Sequence, residues 1–398
     1  MNGIRVGTLF GIPFFINPSW FIVFALVTLS YGNDLNRFFN LGGALPWILG
    51  MVTALLMFSS VLLHELGHSF VAMRQGIEVK SITLFIFGGL ASLGDESKTP
   101  GDAFWVAIAG PLVSFALFGV FTVIGTVADL PVPLRAIIGI VATINLILGT
   151  FNLIPGLPLD GGNILKAIVW KITGKPYRGV ALASRVGQVF GWTGILLGAN
   201  AIFGFSESFG IRLFGSTWTL LIGLFLLQNA GRSAQSAVIQ EKLSDLTAKD
   251  AMYPNSPIVT ETLSLREFAN TYIIGNAVNW RKYLVIDEQG QLIGEIETDS
   301  MKTIPTSDWW NVQVKALTKP REAIQLVNAA TPLMDVIPLI EKDQTSPLAV
   351  EQEGRVIGLI ERTSISEMMQ RQEKKNTDAD SANSRNAENA EFANPSDS

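Results

Sequence analysis

Apolar and polar residues divide the chain into two unlike parts. Residues 12–230 are mostly Leu, Ile, Val, Phe, Gly and Ala with few charges, whereas residues 240–398 carry most of the Lys, Glu and Asp. A helix needs about 20 apolar residues to cross a bilayer. Stretches near that length lie at 17–31 (extended by Phe14–Ile16), 47–73, 104–128, 134–153, 186–204 and 212–229. The pattern predicts a polytopic α-helical membrane protein with about six transmembrane helices, followed by a soluble part.

The charges of the loops predict the orientation of these helices. Six spans place both chain ends on one side, and cytoplasmic loops accumulate Lys and Arg. The loops on one side contain Arg5, Arg74, Lys80, Lys98, Lys166, Lys171, Lys175, Arg178, Arg185, Arg232 and Lys242. The loops on the other side contain Arg37, Arg135 and Arg212. We therefore expect a multi-pass protein of a bacterial cell membrane, or its organellar equivalent, with both termini in the cytoplasm.

Composition narrows the chemistry further. The 398 residues include no cysteine, which excludes disulfides, thiolate nucleophiles and Cys-bound metals. A net charge of -5 and the lack of a basic stripe argue against a nucleic-acid partner. The chain has only two histidines, His64 and His68.

Both histidines lie in the second apolar stretch, in the segment His64-Glu65-Leu66-Gly67-His68. Residues at i and i+4 share one face of a helix, so the two imidazoles can bind one zinc ion. A glutamate directly after the first histidine can reach the metal-bound water as a general base. A chance match is the alternative, but three ionisable groups inside an apolar helix are expensive unless they have a function.

A catalytic zinc ion usually has three protein ligands, and the sequence offers no third histidine or cysteine. The third ligand must then be a carboxylate. Asp160 follows the fourth stretch, after the helix-breaking Pro155 and Pro158 and before two glycines. Irregular backbone at membrane depth is tolerated where it lines a cavity. The alternative is that Asp160 caps a helix that starts near Gly162.

The combination of His64-Glu65-Leu66-Gly67-His68 with Leu159-Asp160-Gly161 resembles the site-2 protease family of intramembrane metalloproteases. Asn152, Pro155, Pro158 and the segment Ala109-Gly110-Pro111-Leu112 add to the resemblance, which covers roughly residues 45–175. The resemblance implies one zinc ion per chain, with His64, His68 and Asp160 as ligands and Glu65 as the base. It also implies that the substrate is a transmembrane helix, cleaved inside the lipid bilayer.

Two further features concern substrate binding. Lys80–Phe87, followed by Gly88 and Gly89, is typical of a β-hairpin and resembles the Gly-Gly re-entrant segment of the family. The edge of such a hairpin can hold an unwound substrate as an added strand, or the loop simply packs under the helices. Asn145 in the fourth stretch can donate to the scissile carbonyl oxygen or oxyanion, or can only join two helices.

The soluble part contains an internal repeat. Residues 283–294 align with residues 347–358, and each copy predicts a strand, a tight turn at a glycine and a second strand. The pair resembles tandem cystathionine β-synthase (CBS) modules, which often bind adenine nucleotides and regulate an attached protein. The predicted domains are a transmembrane metalloprotease domain at 1–235, CBS modules at 244–302 and 303–371, and a disordered tail at 372–398.

The CBS resemblance has one important departure. Nucleotide-binding members carry a Ser or Thr, and an Asp three residues later, after the second strand. The corresponding positions hold Glu297 and Ser300 in the first copy and Glu361 and Ser364 in the second. A glutamate repels phosphate, so the sequence favours dimerisation or docking through the CBS pair over adenine-nucleotide binding.

A CBS-regulated membrane transporter or channel, whose intramembrane polar residues line an ion path, is the alternative function. Glu65 favours the protease, since an ion path does not require a glutamate beside the first metal ligand. The sequence therefore predicts an intramembrane zinc metalloprotease that cleaves transmembrane helices near the cytoplasmic face.

Overall fold

The computed structural model describes residues 3–203, 217–274, 280–320, 324–342 and 348–371. The chain forms two compact units, Met1–Ile239 and Gln240–Ser398. The predicted tail at 372–398 lies outside the described residues, as do the residues that connect the fifth and sixth apolar stretches.

The first unit is built from long helices. Prolines at the first or second position start the first four of them, where the missing N–H of proline costs no hydrogen bond. The helices are α1 (Pro18–Phe39), α2 (Leu45–Arg74), α3 (Pro100–Val127), α4 (Val132–Asn152), α5 (Asp160–Thr173), α6 (Pro176–Phe203) and α7 (Thr217–Ser244).

Among the described residues, four helices are long and apolar enough to cross a membrane: Leu45–Arg74, Pro100–Val127, Val132–Asn152 and Pro176–Asn200. They correspond to the second, third, fourth and fifth predicted stretches. The first unit is therefore a helical membrane domain.

A small sheet packs against α2. Its strands are β1 (Ile4–Leu9), β2 (Ile12–Ile16), β3 (Val79–Phe85) and β4 (Gly88–Leu93), in the spatial order β1-β2-β3-β4. Strands β3 and β4 form the predicted hairpin, and β2 joins β3 in parallel. Ile12 and Ile82 share a buried core with Leu66 of α2. The sheet thus lies against the part of α2 that carries the histidines.

The extension of the first span by Phe14–Ile16 is wrong, because these residues belong to β2. The physical reason is the sequence that follows them. Asn17 accepts a hydrogen bond from the backbone N–H of Ser19 at 3.0 Å, and Pro18 starts α1. This cap fixes the helix start at residue 18, and the apolar residues before it pair with β3 instead.

The second unit contains the predicted repeat. In each copy the first strand pairs in parallel with the second, and the second pairs antiparallel with the third. This shared pairing confirms the repeat. The elements are α8 (Ala248–Ala251), β5 (Ile258–Thr260), α9 (Leu265–Phe268), β6 (Lys282–Ile286), β7 (Leu292–Glu297), β8 (Lys319–Pro320), β9 (Leu326–Asn328), α10 (Leu333–Lys342), β10 (Leu348–Gln352), β11 (Arg355–Ile360) and a helical segment at 362–371.

Candidate metal centre

The two histidines lie on the buried face of α2. His64 is only 3% exposed, and its Nε2 atom is 3.3 Å from Nε2 of His68. The two rings meet edge to face, with 5.0 Å between their centroids. The i, i+4 spacing therefore places both imidazoles in one site, as the sequence predicts.

Asp160, the first residue of α5, contributes a carboxylate to the same site. Helix α4 ends at Asn152, and α5 begins at Asp160, so the two prolines break the helix as predicted. The segment between them is anchored by the Leu157 backbone N–H, which donates to the Ala183 carbonyl of α6 at 3.0 Å. The Asp160 Oδ2 atom lies 3.0 Å from His64 Nε2 and 3.3 Å from His68 Nε2.

The capping alternative for Asp160 finds no support in this geometry. The cap position of α5 is Leu159, and no side chain makes a capping hydrogen bond there. The Asp160 carboxylate lies in the first turn of α5 and faces the histidines instead. A negative charge in a first helical turn is favourable in itself, so this position of the carboxylate does not destabilise α5.

The three candidate ligand atoms have the spacing that a zinc ion requires. A tetrahedral zinc ion with ligand atoms about 2.0 to 2.1 Å away holds those atoms about 3.3 to 3.4 Å apart. The three atoms here are separated by 3.0, 3.3 and 3.3 Å. The other ring nitrogens also have partners: His64 Nδ1 is 2.9 Å from Ser114 Oγ, and His68 Nδ1 is 2.6 Å from the Val106 carbonyl. A carbonyl only accepts, so Nδ1 of His68 carries the proton and Nε2 is free to bind a metal.

Gly110 of α3 leaves the space in which these ligand atoms meet. A Cβ atom at this position would collide with Nε2 of His68 and lie 2.7 Å from Nε2 of His64. Prediction of the site from the motifs did not assign Gly110 a role. The signal was present, because Gly110 belongs to the Ala109-Gly110-Pro111-Leu112 segment, which lies inside α3.

Glu65 lies beside the ligands, against the β3–β4 hairpin. The Ala91 backbone is within hydrogen-bonding reach of the carboxylate. A Cβ atom on Gly89 would collide with Glu65 Cγ and lie 2.9 Å from its Cδ. Gly88, the first residue of β4 after the turn, takes φ 137°, a conformation that L side chains rarely adopt. The structure thus places Gly89 against Glu65, with Gly88 next to it in β4.

Asn145 is fully buried in α4, and its contacts are structural ones. Its Nδ2 group donates to Ser60 Oγ on α2 at 2.9 Å and to the Val141 carbonyl at 2.8 Å. These two bonds use both amide hydrogens. Donation to a substrate carbonyl would require Asn145 to exchange one of them.

Comparison with known proteins identifies the family of this sequence. The sequence matches the model of peptidase family M50 over residues 52–131 and 127–194. A relative from Synechocystis sp., provisionally named zinc metalloprotease sll0528, is 55% identical over 370 residues, which are 93% of this chain and 96% of that protein.

Two solved structures are similar to separate parts of the chain. The site-2 protease from Methanocaldococcus jannaschii is 30% identical and covers 58% of this chain and 95% of its own, with a TM-score of 0.42. A CBS domain-containing protein of unknown function from Kribbella flavida is 16% identical and covers 31% of this chain and 97% of its own, with a TM-score of 0.27.

The relative that is 55% identical extends over nearly the whole chain, so it shares both the catalytic part and the C-terminal unit. The family match contains all four residues that the sequence assigns to catalysis and metal binding, namely His64, Glu65, His68 and Asp160. The chain therefore belongs to peptidase family M50, the site-2 protease family, and is a membrane zinc metalloprotease.

Proposed function

We propose that the protein cleaves transmembrane helices of other membrane proteins inside the bilayer, near the cytoplasmic face. His64, His68 and Asp160 hold one zinc ion in this proposal, and Glu65 is the general base. One observation carries it: two imidazole nitrogens of α2 and a carboxylate oxygen of α5 lie within 3.3 Å of one another, with Glu65 beside them. Family membership decides against the alternative of a transporter or channel.

The chain's own residues account for the proton transfers. Zinc, when bound, supplies a Lewis acid that makes water acidic enough to attack at neutral pH. Glu65 accepts the proton that this water loses and then donates it to the nitrogen of the leaving amine. The peptide C–N bond breaks, and the products are a carboxyl end and an amine end. The hydrogen bonds at the Nδ1 atoms of His64 and His68 keep both rings in a fixed orientation during these steps.

The substrate must unwind before it can react, because a helix hides its carbonyls in hydrogen bonds. Strand β4 is an edge of its sheet and passes next to Glu65 at Gly89. An unwound substrate segment that pairs with this edge would place its backbone beside the base. Gly88 and Gly89 are the residues we assign to substrate binding, and Asn145 joins them if it exchanges one of its two hydrogen bonds for the substrate carbonyl.

The cytoplasmic position of the cut is supported by helix direction and loop charge. Helices α2 and α4 are separated by the single crossing of α3, so they run the same way through the membrane. His64 and His68 lie in the second half of α2, and Asp160 follows the end of α4. The flanking loops on that side carry most of the Lys and Arg. With α1 and α7 as the outer spans, the domain has six spans and both termini are cytoplasmic.

The C-terminal unit is proposed to be a regulatory CBS pair, with modules at 244–302 and 303–371, that dimerises or docks a partner. Ser300 Oγ donates to the Glu297 carbonyl at 2.6 Å, and Ser364 Oγ donates to the Glu361 carbonyl at 2.8 Å. Ser300 and Ser364 stand where nucleotide-binding CBS modules have an Asp, and here they donate hydrogen bonds to the backbone of their own chain. Lys319 donates to the Glu297 carboxylate at 2.9 Å, which lowers the pKa of that carboxyl and keeps it charged.

Reconstitution of the purified chain in liposomes with a panel of single-pass substrates tests the proposed protease function. We expect a cut inside the transmembrane segment, in the half nearest the cytoplasm, when the products are mapped by mass spectrometry. Substrates with Gly or Pro in that half should be cut faster than Leu-rich controls, since they unwind more easily. Chelation of zinc should stop the reaction and added zinc should restore it. Cleavage confined to loops outside the bilayer, or cleavage that survives chelation, would contradict the proposal.

We expect weak or absent binding of AMP and ATP by the full chain in detergent, measured by calorimetry. A phosphate would have to compete with Glu297 for Lys319 and would meet a negative charge at Glu361. The double variant Glu297→Thr, Ser300→Asp rebuilds the Ser/Thr and Asp pair of nucleotide-binding members and should bind more tightly than the wild type. Tight binding by the wild-type chain would overturn this interpretation of the two glutamates.

A further inference from the structure

Helix α3 contacts the metal centre at three positions, one helical turn apart. The Val106 carbonyl is 2.6 Å from His68 Nδ1, Gly110 faces the ligand atoms, and Ser114 Oγ is 2.9 Å from His64 Nδ1. Val106 and Ser114, the partners of the two histidines, are eight residues apart on α3, with Gly110 midway between them. Since His64 meets Ser114 and His68 meets Val106, the two helices run antiparallel along the site. Helix α3 therefore supplies the hydrogen-bond partner of the Nδ1 atom in both imidazoles.

The hydrogen-bond partners of the two Nδ1 atoms differ in kind. The partner of His68 is a backbone carbonyl, which any residue at position 106 would supply. The partner of His64 is a side-chain hydroxyl, which only Ser114 supplies here. Ser114 is fully buried and His64 is 3% exposed, so water cannot replace a lost hydroxyl without entering the helix interface.

From this contact we infer that Ser114 is a positioning residue for the metal: when Nε2 of His64 binds zinc, Nδ1 carries the proton and donates it to Ser114 Oγ, which holds the ring in the orientation that presents Nε2 to the metal. A neutral imidazole carries one proton, and a proton held at Nδ1 leaves the Nε2 lone pair for the metal. The same hydrogen bond sets the rotation of the ring about its bond to the backbone. This inference rests on the proposed role of His64 as a zinc ligand.

The test is zinc affinity of the purified full chain, measured in detergent by competition with a chromophoric chelator. Loss of an outer-shell partner typically weakens metal binding about 10- to 100-fold, and we expect that range for Ser114→Ala. Ser114→Thr keeps the hydroxyl and should keep most of the affinity. Ser184→Ala is the matched control, because Ser184 is also fully buried and its hydroxyl has no hydrogen-bond partner among the described residues.

Cleavage supplies a second readout. Ser114→Ala should cleave poorly at limiting free zinc and recover much of the wild-type rate at saturating zinc. Zinc affinity within twofold of the wild type in Ser114→Ala, or an equal loss in Ser184→Ala, would overturn the inference.

His64→Ala in the same titration separates the two possible failures. If His64→Ala loses zinc while Ser114→Ala binds as the wild type does, only the role of Ser114 is wrong. If His64→Ala also binds zinc normally, the proposed ligand set itself fails.

Discussion

Glu65→Gln should retain zinc and lose cleavage by a factor on the order of 100 or more, the expected cost of removing a positioned general base. The carboxamide has nearly the size of the carboxylate, so it should fit beside Gly89 and the Ala91 backbone without moving the hairpin. It cannot accept a proton from water. Glu65 contributes none of the three clustered ligand atoms, which is why zinc content should stay at about one per chain.

Glu65→Asp completes this experiment. The aspartate keeps the charge but withdraws the carboxylate by one methylene, so we expect only residual cleavage. An ion path would show the opposite order, with transport largely preserved in the Asp form. The three proteins are compared for zinc content and for cleavage of one single-pass substrate. A Gln form that cleaves at the wild-type rate would remove Glu65 from the mechanism.

Asp160→Ala should lower zinc affinity by more than the roughly 10- to 100-fold that loss of a hydrogen-bond partner of a ligand costs, because it removes a proposed direct ligand. The remaining ligands would be His64 and His68, and no other His, Cys, Asp or Glu clusters with them among the described residues. A zinc ion with two protein ligands is one short of the usual catalytic set. Cleavage should fall together with zinc content.

Asp102→Ala is the matched control for Asp160→Ala. Asp102 also lies in the first turn of a long helix, where it accepts a hydrogen bond from Thr99 Oγ1 at 2.7 Å. Its loss should cost helix stability of about 1 kcal/mol at most and leave zinc binding unchanged. Asp160→Ala protein that binds zinc and cleaves like the wild type would reduce Asp160 to the same helix-terminal role as Asp102.

Much of the fold can be predicted from the sequence because it depends on the local pattern of apolar and polar residues. Apolar stretches predict α2, α3 and α4 to within about four residues at each end, because their length is set by the bilayer. The hairpin of β3 and β4 follows from the alternation and from the glycine pair, although the turn itself is at residues 86–87 and the glycines begin β4. Strands β1 and β2 were missed, since an apolar segment next to a predicted span cannot be told from the span until a partner strand is known.

The composition of the metal site is likewise a property of the sequence. Two histidines at i and i+4 must share a helical face, and the lack of any other histidine or cysteine leaves a carboxylate as the third ligand. Proline on either side of residue 157 ends α4 by removing a backbone donor, which makes Asp160 part of a separate segment. These consequences need no knowledge of how the helices pack.

The surroundings of the site depend on the tertiary structure. The packing of α3 against α2 decides which residues support the histidines, since its contacts with His64 and His68 span 50 and 38 residues of sequence, respectively. A buried serine or a small glycine in an apolar helix has no local feature that distinguishes a metal-site partner from ordinary packing. Asn145 shows the same limit, because its hydrogen bond to Ser60 exists only through the packing of α4 on α2. The sequence by itself determined which atoms can bind the metal, and only packing between distant helices decided what holds them in place, because those contacts join residues that no local periodicity relates.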